Sequence, residues 1–179
     1  MEYRKLYENI LDMTVEQQLK LGDSSSGFQL YYPLSSLNRF CDSSLSREEM
    51  LSFLQGFSDY AGGTLGEVAV DTAGNMFRFT LSPEAQAYAR SARERYPFLK
   101  ELIETVSRHG VCMEEVLGVF SKYSDHPVIE KKTGEDFDVL AYFPDGIPDR
   151  YRYCLTDEGE HVIYHRFTEA DYLDFYPEG

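Results

Sequence analysis

Two histidines four residues apart, His161-Val-Ile-Tyr-His165, form the one pattern in this chain that suggests metal chemistry. On a helix such a pair shares a face, and Cys154 or Glu158 could complete a coordination shell. In an extended segment the two rings also share a face, so the spacing alone does not select a metal site. The chain has neither His-Glu-x-x-His nor a Cys-x-x-Cys pair, so the histidines read as surface or half-buried groups without a metal. Cys112 and Cys154 precede acidic segments, which raise a thiol pKa instead of activating it. The carboxylate pairs Glu48-Glu49 and Glu114-Glu115 are adjacent in sequence and splay apart on a helix, which makes them poor acid–base dyads. There is no Gly-x-Ser-x-Gly, no dinucleotide-binding fingerprint, and the serine-rich loop Gly22–Gly27 lacks the lysine of a phosphate-binding loop. The expectation is a protein with no catalytic residues and no cofactor, a metal-binding or enzymatic role resting on His161 and His165 alone.

The elements that would hold these residues are legible from periodicity. Residues 2–21 place Tyr3, Leu6, Tyr7, Ile10, Leu11, Val15 and Leu19 at helical spacing. A short helix is expected over Leu34–Phe40. A second begins at Ser46, a favourable cap followed by Glu48 and Glu49, and should stop at Gly62-Gly63 near Tyr60. Strands are expected at Glu67–Val70 and Met76–Leu81, followed by a helix opened by Ser82-Pro83-Glu84. Helices at about 96–109 and 112–124 precede strands near Val128–Lys132, Asp136–Phe143 and Arg150–Leu155. Thr156-Asp-Glu then resembles another helix start, and Thr168–Tyr176 a last helix.

The segment Arg47–Tyr60 aligns without gaps on Met113–His126, with the Glu-Glu pair, a leucine and a closing Ser-Asp in common. Phe77-Arg-Phe-Thr-Leu-Ser-Pro-Glu aligns similarly on Tyr151-Arg-Tyr-Cys-Leu-Thr-Asp-Glu. This repeat predicts an α+β fold of two tandem winged-helix-like units, residues 1–81 and 82–179, each with three helices and a β-hairpin. The second unit would carry an enlarged wing and an acidic, aromatic tail.

Charge then bears on partners. Lys and Arg number 17 against 31 Asp and Glu, a net charge of −14, which repels phosphate backbones and anionic lipid. The outward faces of the expected third helices carry Glu48, Glu49, Gln55 and Asp59 in one copy and Glu114 and Glu115 in the other. They suit a protein partner, a basic one best, better than DNA. The tail residues Asp171, Tyr172 and Phe175 form a further candidate docking segment. A DNA-binding regulator acting as a dimer is the alternative; it requires a stripe assembled from Arg39, Arg47, Arg78, Lys131 and Lys132. A homodimer is compatible with either reading. The charged start Met1-Glu-Tyr-Arg-Lys-Leu6 lacks the apolar core of a signal peptide, and no apolar run reaches membrane-span length. Three widely spaced cysteines fit a reducing compartment, so a cytoplasmic location is expected.

Glu16-Gln-Gln-Leu-Lys-Leu-Gly22 and Leu30-Tyr-Tyr-Pro-Leu-Ser-Ser-Leu37 resemble an uncharacterised family of small proteins from gut Clostridia. The resemblance covers the whole chain. It implies a bacterial cytoplasmic protein and carries no reaction, ligand or catalytic residue.

Overall fold

The computed structural model describes residues 2–22 and 27–177; Asp23–Ser26 of the serine-rich loop lie outside them. The fold is α+β, with two separate antiparallel sheets. The chain divides into two compact units, Met1–Arg93 and Glu94–Gly179. The division lies after the helix Glu84–Ala92 rather than at residue 82, where the sequence reading put it. That helix buries Ala85, Ala89 and Ala92, a side of small residues that lets it pack closely on the first helix of its own unit.

The first unit begins with α1 (Arg4–Leu21), whose Leu6, Ile10 and Val15 are fully buried. β1 (Phe28–Pro33) follows, a strand the sequence reading did not assign. It alternates, with Leu30 and Tyr32 inward and Gln29 and Tyr31 outward, and ends on a proline at the edge of the sheet. α2 (Leu34–Phe40) matches the expected helix. The single helix expected from Ser46 is instead two, α3 (Arg47–Leu54) and α4 (Phe57–Leu65). The break falls at Gln55-Gly56, where the Tyr3 hydroxyl donates to the Phe53 carbonyl. A Cβ at Gly56 would stand 2.9 Å from that hydroxyl. Gly62 and Gly63 do not stop the helix; it ends at Gly66, which adopts the left-handed φ of 69°.

β2 (Val68–Ala73) and β3 (Met76–Leu81) form the hairpin, and the sheet order is β1-β3-β2. Phe77, Phe79 and Leu81 point inward from β3 at the period of two and meet Leu54, Phe57 and Leu65. α5 (Glu84–Ala92) closes the unit.

The second unit departs from the expected three helices and hairpin. It has α6 (Pro97–Val106) and α7 (Met113–Tyr123), then a four-stranded meander. The strands are β4 (Val128–Lys131), β5 (Val139–Tyr142), β6 (Arg152–Asp157) and β7 (Val162–Phe167), and α8 (Glu169–Phe175) ends the unit. The helix expected at Thr156 is the end of β6 and a tight hairpin. Asp157 accepts from the Gly159 amide at 2.8 Å, Gly159 has φ 84°, and the Glu158 amide donates to the His161 carbonyl. Residues that cap helices also close such turns, so the local signal was ambiguous.

Both faces of this sheet are covered, which is why β5 is buried from Val139 to Ala141 and β6 from Arg152 to Leu155 with no alternation. Tyr153 lies on one face with Phe98, Phe120 and Phe143, at ring separations of 4.9 to 5.8 Å. Leu140 and Cys154 lie on the other face, under Phe137 and Tyr172 of α8.

Candidate interaction surface

The repeated Glu-Glu pair has a structural explanation in its second member. Ser46 caps α3: its hydroxyl accepts from the Glu49 amide at 3.4 Å, and its own amide donates to Glu49 Oε2 at 2.8 Å. Cys112 and Glu115 repeat this box on α7, with the Cys112 amide 3.2 Å from Glu115 Oε2. Backbone donation from Ser46 and from Cys112 holds the two carboxyls below the ordinary glutamate range, and Arg108 adds to the effect at Glu115 from 3.0 Å. Glu49 and Glu115 are therefore turned onto their own helix starts. Glu48 and Glu114 remain exposed and project outward.

The solvent side of α3 and α4 carries Glu48, Ser52, Gln55, Asp59 and Tyr60, all exposed. Gln55 returns its amide to the Leu51 carbonyl at 3.3 Å. Tyr60 is 50% exposed, yet its ring is braced by Tyr3 and Tyr7, each at 5.4 Å, and by Phe57. The nearby cations are committed elsewhere. Arg47 donates to the Gly74 carbonyl in the hairpin turn at 2.6 Å and lies over Phe77. Arg78 grips Asp71 with two bonds of 2.5 and 2.8 Å, which lowers the Asp71 pKa. The face is acidic and aromatic, with its two hairpin-side arginines held inside the unit.

In the second unit the tail candidates separate. Tyr172 is 3% exposed and packs on Cys154 and Leu140, with the Arg152 guanidinium 5.0 Å from its ring. It is a core residue, which corrects its assignment to a docking segment. Asp171 is half-buried and exchanges hydrogen bonds with Thr168, the cap of α8. Phe175 is 66% exposed, with its inner side on Phe167 at 5.6 Å.

The histidine pair does not assemble a site. His161 lies 5.3 Å from His109, which is 3.8 Å from Glu160, while His165 on β7 neighbours Phe167. Among the described residues no group of three or more His, Cys, Asp and Glu is placed to hold a metal ion. Cys41 and Cys154 are buried, and burial pushes their thiols up to about 11 and about 12. Cys112 is exposed and serves as a helix cap.

Sequence reasoning missed one buried ion pair. Arg166 and Asp149 meet at 2.7 Å with side chains 2% and 5% exposed, and Arg166 stacks 3.8 Å from the Tyr151 ring centre. Arginine on a strand reads as solvated, so nothing in the local pattern announced it. An open cleft of about 630 Å³ borders Gln29, Glu67, Thr80 and Ser82 at one end of the first sheet, and no sequence candidate lines it. Among the described residues no helix is long and apolar enough to cross a membrane.

A search of curated proteins and a search of solved structures each found no match. Residues 3–176 match the model of the family described as "Domain of unknown function, E. rectale Gene description (DUF3877)", and across nearly its full length the chain belongs to that family.

Proposed function

We propose that this chain is a non-enzymatic protein-interaction module whose first unit is winged-helix-like and whose third-helix face receives a basic protein partner. The winged-helix reading is supported by the element order of the first unit, helix, strand, helices, hairpin, with the first strand beside the last in an antiparallel β1-β3-β2 sheet. The four-stranded meander of the second unit does not follow that order, so the reading is kept to the first.

The observation that carries the choice of partner is the charge of the face itself. Winged-helix proteins that read DNA turn cationic third helices and wings toward phosphate. Here Glu48 and Asp59 occupy that surface, while Arg47 and Arg78 are held by Gly74 and Asp71. The dimeric DNA-binding alternative needed those same two arginines on its stripe. Three free thiols support the expected cytoplasmic setting.

The test is a charge reversal, Glu48→Lys with Asp59→Lys, used as bait beside the wild-type chain. Proteins retained by the wild type and lost by the reversed variant support the reading. Identical retention by both would contradict it.

A further inference from the structure

The open cleft at the end of the first sheet, about 630 Å³, has the size of a small-molecule site, about 300–1,000 Å³. Leu30, Tyr32, Phe77, Phe79 and Leu81 point inward, so Gln29, Thr80 and Ala69 stand on the opposite face. They are side by side there, Gln29 and Ala69 each paired with Thr80 in the register of the three strands. The pairing runs one step further, where the Ser82 amide donates to the Glu67 carbonyl at 3.2 Å. All five residues line the cleft, and Ala69 contributes only a methyl group to it.

The polar groups of the cleft are oriented from outside it. Tyr31, on the next row of the same face, donates its hydroxyl to Gln29 Oε1 at 2.7 Å. The Arg78 guanidinium, gripped by Asp71 at 2.5 and 2.8 Å, also interacts with the Tyr31 oxygen. A phenol oxygen beside an arginine is an acceptor, so its own proton is left for Gln29. This chain of side chains fixes which end of the amide is oxygen and turns the Gln29 NH2 away from Tyr31. Ser82 donates its hydroxyl to the Leu65 carbonyl at 3.2 Å. The Gln29 NH2, the Thr80 hydroxyl and the Glu67 carboxylate have no hydrogen-bond partner among the described residues.

We propose that this cleft binds a neutral saccharide, one hydroxyl accepting from Gln29, another donating to Glu67, with Thr80 between them in the register. The cleft offers a group that only donates, a group that only accepts and a hydroxyl that does both. Neighbouring hydroxyls of a sugar satisfy all three together. An anion finds no cation in the lining, since Arg78 is held by Asp71, and it meets the Glu67 carboxylate. A simple cation uses Glu67 and faces a donor at Gln29. An apolar ligand strips water from all three groups and replaces none of it. A peptide strand extends a sheet at its edge, whereas Gln29, Thr80 and Ala69 lie across the sheet's face.

The test is a titration of the full chain, labelled with nitrogen-15, followed by NMR. Glucose, galactose, mannose, xylose, N-acetylglucosamine and lactose are each added to about 100 mM, a range suited to the millimolar binding of a shallow site. At least one sugar should give saturable shifts of the Gln29 side-chain NH2 and of the Ala69 and Thr80 amides. Glu67→Ala and Thr80→Val should each weaken that binding about threefold to tenfold, with the rest of the spectrum retained as evidence of folding. Absence of a saturable shift at these signals with every sugar overturns the proposal. Wild-type affinity in both variants also overturns it, because the sugar is then held elsewhere. Shifts produced by methylammonium chloride or by N-acetylglycinamide, and by none of the sugars, assign the cleft to a cation or a peptide and overturn it as well.

Discussion

Glu49 and Glu115 are the residues where chemistry and architecture are most easily confused. Each is a carboxylate beside another carboxylate, and each accepts from the backbone amide three residues earlier, which the start of the helix would otherwise leave without a partner. Replacing Ser46 by Ala should lower stability by about 1 kcal/mol, read as a shift in the denaturation midpoint. The pH dependence follows from the depressed carboxyls of Glu49 and Glu115 and of Glu101, which accepts from Lys122 at 2.7 Å and from the Tyr123 hydroxyl at 2.8 Å. Because folding lowers their pKa, their contribution is fully present above the unfolded glutamate value of about 4.3 and is lost as pH falls through the lower folded-state values. Acid titration of Glu49→Gln with Glu115→Gln should therefore show a shallower loss of stability below that pH than the wild type. The repeat exposed these pairs in the sequence, but not which member was committed. At Ser46-Arg-Glu-Glu49 the Ser-x-x-Glu spacing does mark the second glutamate, whereas Cys112 is not a usual cap and hid the same role at Glu115.

At the scale of elements, α4 offers a paired prediction. Gly66→Ala should destabilise by more than 1 kcal/mol, since it combines a left-handed φ with contacts of 2.7 and 2.9 Å to Ser82 and Glu84. Gly63→Ala, in open space, should stabilise by about 0.5–1 kcal/mol; thermal melts distinguish the two. Tyr172→Ala should cost about 3 kcal/mol, because α8 is the cover over Leu140 and Cys154. Most helices and the first hairpin were legible from apolar period and caps. β1 was not, because six residues ending in proline give a weak strand signal on their own and take their register from β3, far along the chain. Three strands of the meander, β4, β5 and β6, were legible, but β7 was hidden for a related reason. Its Asp157–His161 turn uses the same residue types that begin a helix, and only pairing with β6 decides between them.

For the whole molecule, charge is unevenly shared. Residues 1–93 carry 8 Lys and Arg against 12 Asp and Glu, while residues 94–179 carry 9 against 19. The second unit thus holds most of the acidic excess, which favours approach of cationic partners from a distance and is screened by salt. The first unit contributes less net charge and a shaped face, Glu48, Gln55, Asp59 and Tyr60, beside hairpin arginines already paired. Under the proposed function, long-range attraction and local selection would belong to different parts of one chain. Sequence alone gave the sign of this field. It could not show that Arg47 and Arg78 are held by Gly74 and Asp71 of the hairpin, the contacts on which the proposed preference for a protein over DNA rests. The direct measurement is fluorescence anisotropy of a labelled DNA duplex and of a labelled arginine–serine peptide against the same protein across a salt series. The account predicts no DNA binding even at low salt and peptide binding that weakens as salt rises. Tight, salt-sensitive binding of the duplex would contradict it.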